Sequence, residues 1–334
     1  MKFNLDENIE YNKNLDNIIC RASKLACEDV YPIVCVSYLR GSEASTVKIL
    51  EQLAELGHRC YLFIYDSDKH NYINTIENSK VNVQLCSGFK GIVPKRNYVN
   101  YKMKQLGFSR IFVLDDDIKK LYLLKASENS EKLYRLNKVY LEYSSIFKIW
   151  QTYMELYINK YALCSICHNS EAVFLHHYNL HEPYRFGSVA ISIDLDSIDE
   201  FKYRSGYGWD DVDFFMQLCL NNKLTYRLPF LAYNSGIMLP NTSVANIGDK
   251  KWTKLSMQAY REYGILMNYI HKHEQIKCKP NSIKLQQYIN SDIKFEIKDL
   301  NILKIIEKED LDSFEAIFTG KFNCRRRLFW IYLI

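Results

Sequence analysis

The chain has 334 residues, 48% of them hydrophobic and 14% aromatic, with a formal net charge of +5. That composition can bury a substantial core and excludes a disordered chain. The mild positive charge permits an anionic substrate but does not by itself imply nucleic acid.

Met1 to Asp16 is polar and acidic, with neither the basic nor the apolar region of a secretory signal. No apolar run approaches the roughly 20 residues that span a bilayer. The ten cysteines are scattered, many in strand-like apolar runs, and read as reduced core thiols of a cytoplasmic protein. Residues 1–28 read as a polar lead-in with a short helix. Tyr31 to Tyr38 is a first strand, leaving through Leu39, Arg40 and Gly41. Ser45 to Leu56 carries Val47, Leu50, Leu53 and Ala54 at helical spacing and stops at Gly57. Cys60 to Tyr65 is a second strand ending at Asp66, Val81 to Leu85 a third, and Lys95 to Leu106 a helix stopped by Gly107. Strands alternating with helices predict a doubly wound α/β domain with a mostly parallel sheet. Further on, Asn137 to Tyr157 reads as a long helix, and Ala162 to Cys167 and Val189 to Ile193 as short strands. Asp211 to Leu220 reads as an amphipathic helix. Leu224 to Leu231 reads as a strand whose Pro229 suggests an edge or an end. From Lys251 the chain reads as helical and charged.

The centre of this pattern is Arg110 to Ile118, where four apolar residues run into Asp115, Asp116 and Asp117. Adjacent carboxylates repel one another unless a proton or cation enters. Clustered oxygens suit hard cations such as Mg²⁺ or Mn²⁺, and open α/β sheets bind ligands at strand carboxyl ends. Asp115 and Asp117 are therefore the expected metal-ligating carboxylates. The plainer alternative has Asp116 and Asp117 capping a following helix.

Two motifs carry a family resemblance. Pro94-Lys95-Arg96-Asn97, a helix, and then the strand ending in Asp115-Asp116-Asp117 resemble inverting nucleotide-sugar glycosyltransferases of the GT-A fold, family-2-like. Those enzymes pair an Arg-Asn helix start with an Asp-x-Asp metal motif. Downstream, Ile198-Asp199-Glu200-Phe201 precedes Gly208-Trp209-Asp210-Asp211, similar to the segment in which an acidic pair heads a helix. Asp211 matches the family's catalytic base, and Asp210 stands where the family carries Glu. The resemblance covers about residues 31–235. A more remote likeness is to transferases associated with DNA base-oxidising hydroxylases.

The resemblance implies a donor of the UDP-sugar type, a Mn²⁺ or Mg²⁺ ion, and inversion at the sugar. Asp117 would hold the ion against the diphosphate, Asp115 would lie nearer the ribose, and Arg96 would face the phosphates with Asn97 and Asp116 beside it. Tyr38, Arg40 and Asp66 follow strands one and two, where the nucleotide would bind. For Asp66 an ordinary turn explains the residue equally well, and for Arg96 a solvated helix start does. Asp210 and Asp211 would face the acceptor, Trp209 offers a flat face to a sugar ring or belongs to the core, and Asn234 is the expected third protein ligand of the metal.

The domain expectation is a lead-in over 1–28 and a catalytic domain over 29–250. Its nucleotide half would span about 31–120 and its acceptor half about 121–250. A helical extension would follow over 251–334. The acceptor is open: a glycan, a peptide or protein, or a modified nucleic-acid base. The tail, three arginines followed by an apolar end, reads as docking on its own core or on a mate in a homodimer. Two rival readings differ in class. Asp117-Ile118-Lys119 fits the acidic-x-Lys element of a metal-dependent nuclease, although residues 90–114 hold no further carboxylate. Cys164 and Cys167 with His177 and His181 could form a zinc site in a non-catalytic nucleic-acid module.

Overall fold

The computed structural model describes residues 3–37, 40–41, 44–87, 92–169, 178–183, 187, 189–203, 211, 214–215, 217–218, 221 and 223–235. The chain divides into two compact units, one of Met1–Asp199 with Tyr226–Ile237 and one of Glu200–Thr225 with Met238–Ile334.

The first unit opens with helix α1, Leu5–Ala22, rather than a short helix after a loose lead-in. Its polar sequence hides an inward stripe of Tyr11, Leu15, Ile18 and Ala22 at three- and four-residue spacing. Asn4 caps it by accepting from the Asp6 N–H at 3.0 Å. Strands β1, Ile33–Val36, β2, Cys60–Tyr65, and β3, Asn82–Cys86, alternate with helices α2, Ser45–Glu55, and α3, Ile73–Asn78. Helix α4, Ile92–Gln105, starts three residues earlier than the sequence suggests, with Pro94 in a first turn where its missing N–H has no partner to lose. Gly57 and Gly107 close α2 and α4 with φ of +91° and +85°, the left-handed geometry expected of glycine there. Strand β4, Arg110–Asp115, is buried along its four central residues.

Two further strands, β5, Ile118–Ala126, and β6, Leu136–Val139, form an antiparallel hairpin. The long helix expected from Asn137 begins only at Tyr143, as α5, Tyr143–Tyr153, continued by a π-helical turn over Met154–Ile158. Pairing decides against the earlier start: Leu136–Val139 is held by Ala126–Leu123 in register. Strands β7, Leu163–His168, β8, Glu182–Pro183, β9, Ala190–Asp194, and β10, Thr225–Ser235, complete the sheet.

The strand order is β3-β2-β1-β4-β9-β7-β10-β5-β6, with β8 paired to β10. The first four strands are parallel, as a doubly wound domain requires, and β9 joins β4 antiparallel. Strand β10 is interior, not an edge. Pro229 falls between its pairing to β8 at Tyr226–Arg227 and its pairing to β5 at Leu231–Ser235, so neither ladder needs its missing N–H. Helices α1, α2 and α5 cover one face over a core that includes Phe112, Phe147 and Trp150, whose rings pack at 4.8–6.2 Å.

One dimension controls the rest. Three strands lie between β4 and β5, so a flat sheet would separate them by about 19 Å. Asp115 and Ile118 are three residues apart and can span at most about 11 Å. The sheet must therefore curl, drawing its carboxyl edge around the Asp115–Asp117 turn.

In the second unit Tyr203 stacks on Phe214 with ring centroids 4.1 Å apart, and the Lys223 ammonium lies 5.6 Å from the Phe201 ring. Asp211, Phe214, Phe215, Gln217 and Leu218 are helical, in line with the expected helix over 211–220. The expected extension over 251–334 lies outside the described residues.

Candidate active site

Strands β1, β2, β3 and β4 run the same way, so Ser37, Asp66, Cys86 and Asp115 share one edge. Strand β7 is parallel to β4 through β9. The Asn169 N–H donates to the Tyr233 carbonyl at 2.9 Å, which brings the ends of β7 and β10 to that edge too. A register shift at Asn234 and Ser235 sets Ser235 opposite Ile118. The expected metal ligand Asn234 is thus on the same edge as Asp117.

Each aspartate has a different job. Asp115 ends β4, and its carboxylate accepts from Arg96 Nη2 at 2.9 and 3.1 Å. Its carbonyl accepts from Thr46 Oγ1 at 2.6 Å, and the same hydroxyl oxygen accepts the Ile118 N–H at 2.9 Å. One threonine at the start of α2 thereby pins both sides of the turn. Asp116 is buried, and the element that follows it is strand β5, not the helix it would have capped. It accepts from Ser37 Oγ at 2.8 Å and pairs with Arg40 Nε at 3.1 Å. Asp117 is half-buried, and its pKa is pushed up to about 6, first by burial and then by repulsion from Asp115, with Arg40 opposing and Asp116 adding to the rise. A carboxylate held in that state gains from any cation brought to it.

Beneath this layer is a lysine the motif reading passed over. Lys95 is fully buried, donates to the Ser37 carbonyl, and sets its ammonium 3.6 Å from the centre of the Tyr65 ring. Burial lowers its pKa to about 8, offset in part by Cys86 and Asp116. Tyr72 Oη shares a 2.6 Å hydrogen bond with Ser37 Oγ, closing a network that runs from Tyr72 through Ser37 to Asp116 and Arg40. Lys95 was legible: with Val99 and Met103 it repeats every fourth residue, and all three are buried. Ser37, Thr46 and Tyr72 carry no such signal.

Asp66 opens the 3₁₀ segment after β2 and accepts from Ser87 Oγ, and Asn97 is half-buried beside Arg96 on α4. Asp211 is in the second unit. Tyr38, Trp209 and Asp210 lie outside the described residues. The proposed zinc cluster is split. Cys164 and Cys167 are three apart on a strand, so they point to opposite faces, Cys164 into the main core and Cys167 into a small cluster with Tyr122, Leu124 and Ala232. His181 Nδ1 is bonded to Tyr153 Oη at 2.7 Å, and His177 lies outside the described residues. The seven described cysteines are free thiols.

The family model of the TET-associated glycosyltransferases matches residues 31–235, more than half of the chain. The chain belongs to that family. It is therefore a glycosyltransferase, and a nucleotide sugar is the donor that this TET-associated family implies. Membership decides against the nuclease reading. No curated protein matches this TET-associated transferase. Among solved structures, a nucleotide-diphospho-sugar transferase from Desulfovibrio desulfuricans G20 is similar at 10% identity and a TM-score of 0.36, over 72% of this chain and 97% of its own. That likeness is too slight to bear on the site. Among the described residues, no helix is long and apolar enough to cross a membrane.

Proposed function

We propose that the chain is an inverting, metal-dependent transferase that moves a sugar from a UDP-sugar to an acceptor hydroxyl. The observation that carries this reading is the carboxylate turn at the curled sheet edge, with Asp117 poised at a raised pKa and Arg96 beside Asp115.

The donor set fits a Mg²⁺ or Mn²⁺ ion that arrives with the nucleotide. Among the described residues no three His, Cys, Asp or Glu side chains group closely enough to hold an ion alone. Mg²⁺ is commonly held by one or two carboxylates plus substrate phosphates. Asp117 and Asp115 would hold it here, with Asn234 as a further oxygen donor. When bound, the ion stabilises the charge that develops on the leaving diphosphate.

Arg96 orients Asp115 and would extend its guanidinium fork to the diphosphate. Asp116, Arg40 and Ser37 set the loop after β1 in which the nucleotide would sit, with Asp66 and Asn97 flanking it. The acceptor oxygen attacks the anomeric carbon as the bond from that carbon to the phosphate oxygen breaks. Asp211 takes the acceptor's proton, with Asp210 and Trp209 binding the acceptor. Among possible acceptors a modified nucleic-acid base comes first, because the family is defined by its association with TET.

Calorimetry of UDP in Mn²⁺ tests the central step. Asp117→Asn should lose most of the affinity while the protein stays folded. Unchanged affinity would remove Asp117 from the metal and the reading with it.

A further inference from the structure

We infer that the β5–β6 hairpin is the surface on which a single-stranded nucleic acid lies while it presents the acceptor. This rests on the transferase reading above and gives its acceptor a place to bind.

The hairpin starts at Ile118, immediately after Asp117, and leads away from the carboxylate turn. Between Ile118 and Glu142 it carries Lys119, Lys120, Lys125, Lys132, Arg135 and Lys138 against Glu128, Glu131 and Glu142. Lys125 is paired with Asp16 in α1. Lys119, Lys120, Arg135 and Lys138 are exposed. Alternation puts Lys120, Tyr122 and Leu124 on one face of β5, and the register, continued by one residue, sets Lys138 and Tyr140 on the same face.

Tyr122 and Leu124 are buried there, and Tyr140 is the ring left exposed beside the lysines. The Lys120 ammonium is 5.5 Å from the centre of the Tyr140 ring, and the Lys138 ammonium is 5.1 Å from that of Tyr122. Near the hairpin's far end the Arg135 guanidinium is 5.8 Å from the Tyr134 ring. Tyr140 is 63% exposed. Next to it is a cavity of about 450 Å³ whose lining includes Leu53, Leu56, Leu121, Lys120, Tyr140 and Glu142.

Charge alone would suit any polyanion. The exposed Tyr140 ring favours a nucleic acid, because bases stack on rings while phosphates follow the lysines. A single strand fits best, since its bases are free to reach Tyr140 and the cavity. Lys120 is three residues from Asp117, about 10 Å along a strand, so a strand held here passes close to the proposed donor site. Acidic proteins and lipid surfaces supply charge but no flat bases to stack.

The test is fluorescence anisotropy with a labelled single-stranded DNA of mixed sequence, about 12 nucleotides long. The full chain should bind it with a strong salt dependence. The double variant Lys120→Glu, Lys138→Glu should reduce the slope of log K against log salt by about 0.7 for each phosphate that the protein no longer neutralises. Tyr140→Ala should weaken binding roughly tenfold, and Tyr140→Phe should keep it. UDP-sugar hydrolysis and UDP affinity should be unchanged in all three variants. The inference is overturned if the wild type does not bind at low salt, or if neither set of substitutions matters. It is also overturned in favour of an acidic partner if heparin competes equally and Tyr140→Ala is silent. If DNA binding behaves as expected but UDP affinity and hydrolysis are absent from the wild type, the surface stands and the transferase reading fails.

Discussion

Asp211 and Lys95 are the two side chains whose replacement separates chemistry from scaffolding. Asp211→Asn keeps size and most hydrogen bonds but cannot take a proton. Transfer should slow by roughly 10²–10⁴-fold with UDP affinity nearly unchanged, the pattern of a group acting in the transition state. Near-normal turnover in steady-state assays would shift the role to Asp210 or end the inverting mechanism. Lys95→Met removes the donor to the Ser37 carbonyl and should weaken UDP binding roughly tenfold, within the range for a hydrogen bond from a charged group. The protein should not lose stability at pH 7, because the lowered pKa means that burying the charge is itself unfavourable. Wild-type affinity in Mg²⁺ should fall as pH rises through about 8, where the ammonium gives up its proton, while the variant's profile stays flat. A flat wild-type profile in calorimetry from pH 7 to 9 would count against that role. Much of this layer was readable in advance, since three carboxylates at the end of an apolar run announce themselves. The hydroxyls of Ser37, Thr46 and Tyr72 did not, because their partners are brought together only by the sheet.

Among elements, α1 departs most from its sequence. Its mean composition is polar, yet Leu15 and Ile18 are buried and Asn12 both donates to and accepts from the Ala126 backbone, at 3.0 and 2.8 Å. An asparagine matched in both directions to a strand end is invisible to a reading of apolar periodicity. Leu15→Ala should cost about 2–5 kcal/mol, the range for a large buried aliphatic residue, measured as a fall in the denaturant midpoint without a change in slope. A change under about 0.5 kcal/mol would mean that α1 is an ornament. The β5–β6 hairpin escaped for a related reason. Leu136 to Val139 has no turn dipeptide before it and runs straight into a helical pattern, so only its ladder to β5 identifies it.

For the whole molecule, acid sensitivity should have an identifiable source in His58, with His181, its pKa also lowered by burial, acting in the same direction. The His58 ring is 5% exposed, its Nε2 is 2.7 Å from Ser144 Oγ, and burial, with some help from Lys148, lowers its pKa to about 4. The unfolded chain takes a proton there below about 6.5 and the folded chain does not. Stability is therefore complete above about 6.5 and is lost as pH falls towards 4, by at most roughly 3 kcal/mol. Chemical denaturation at several pH values should show a shallower acid loss for His58→Gln. Equal losses would show that this imidazole is not a source. The alternation of strands and helices through β4 was legible because each element there is patterned by its own neighbours. The antiparallel half was not, because strand order is set by partners more than a hundred residues away, as Ile118 and Ser235 are.

The short step from β4 to β5 has a kinetic price. Strands that are neighbours in the chain are parted by β9, β7 and β10, which are made from residues 163–235. On the ribosome, a nascent chain that has emerged through β6 can zip its parallel strands but must leave a gap that later sequence fills. Pairings of this span close slowly. Until Ser235 arrives, the flanks of that gap are open strand edges able to recruit other chains, so expression yield should respond to chaperone supply more than equilibrium stability does.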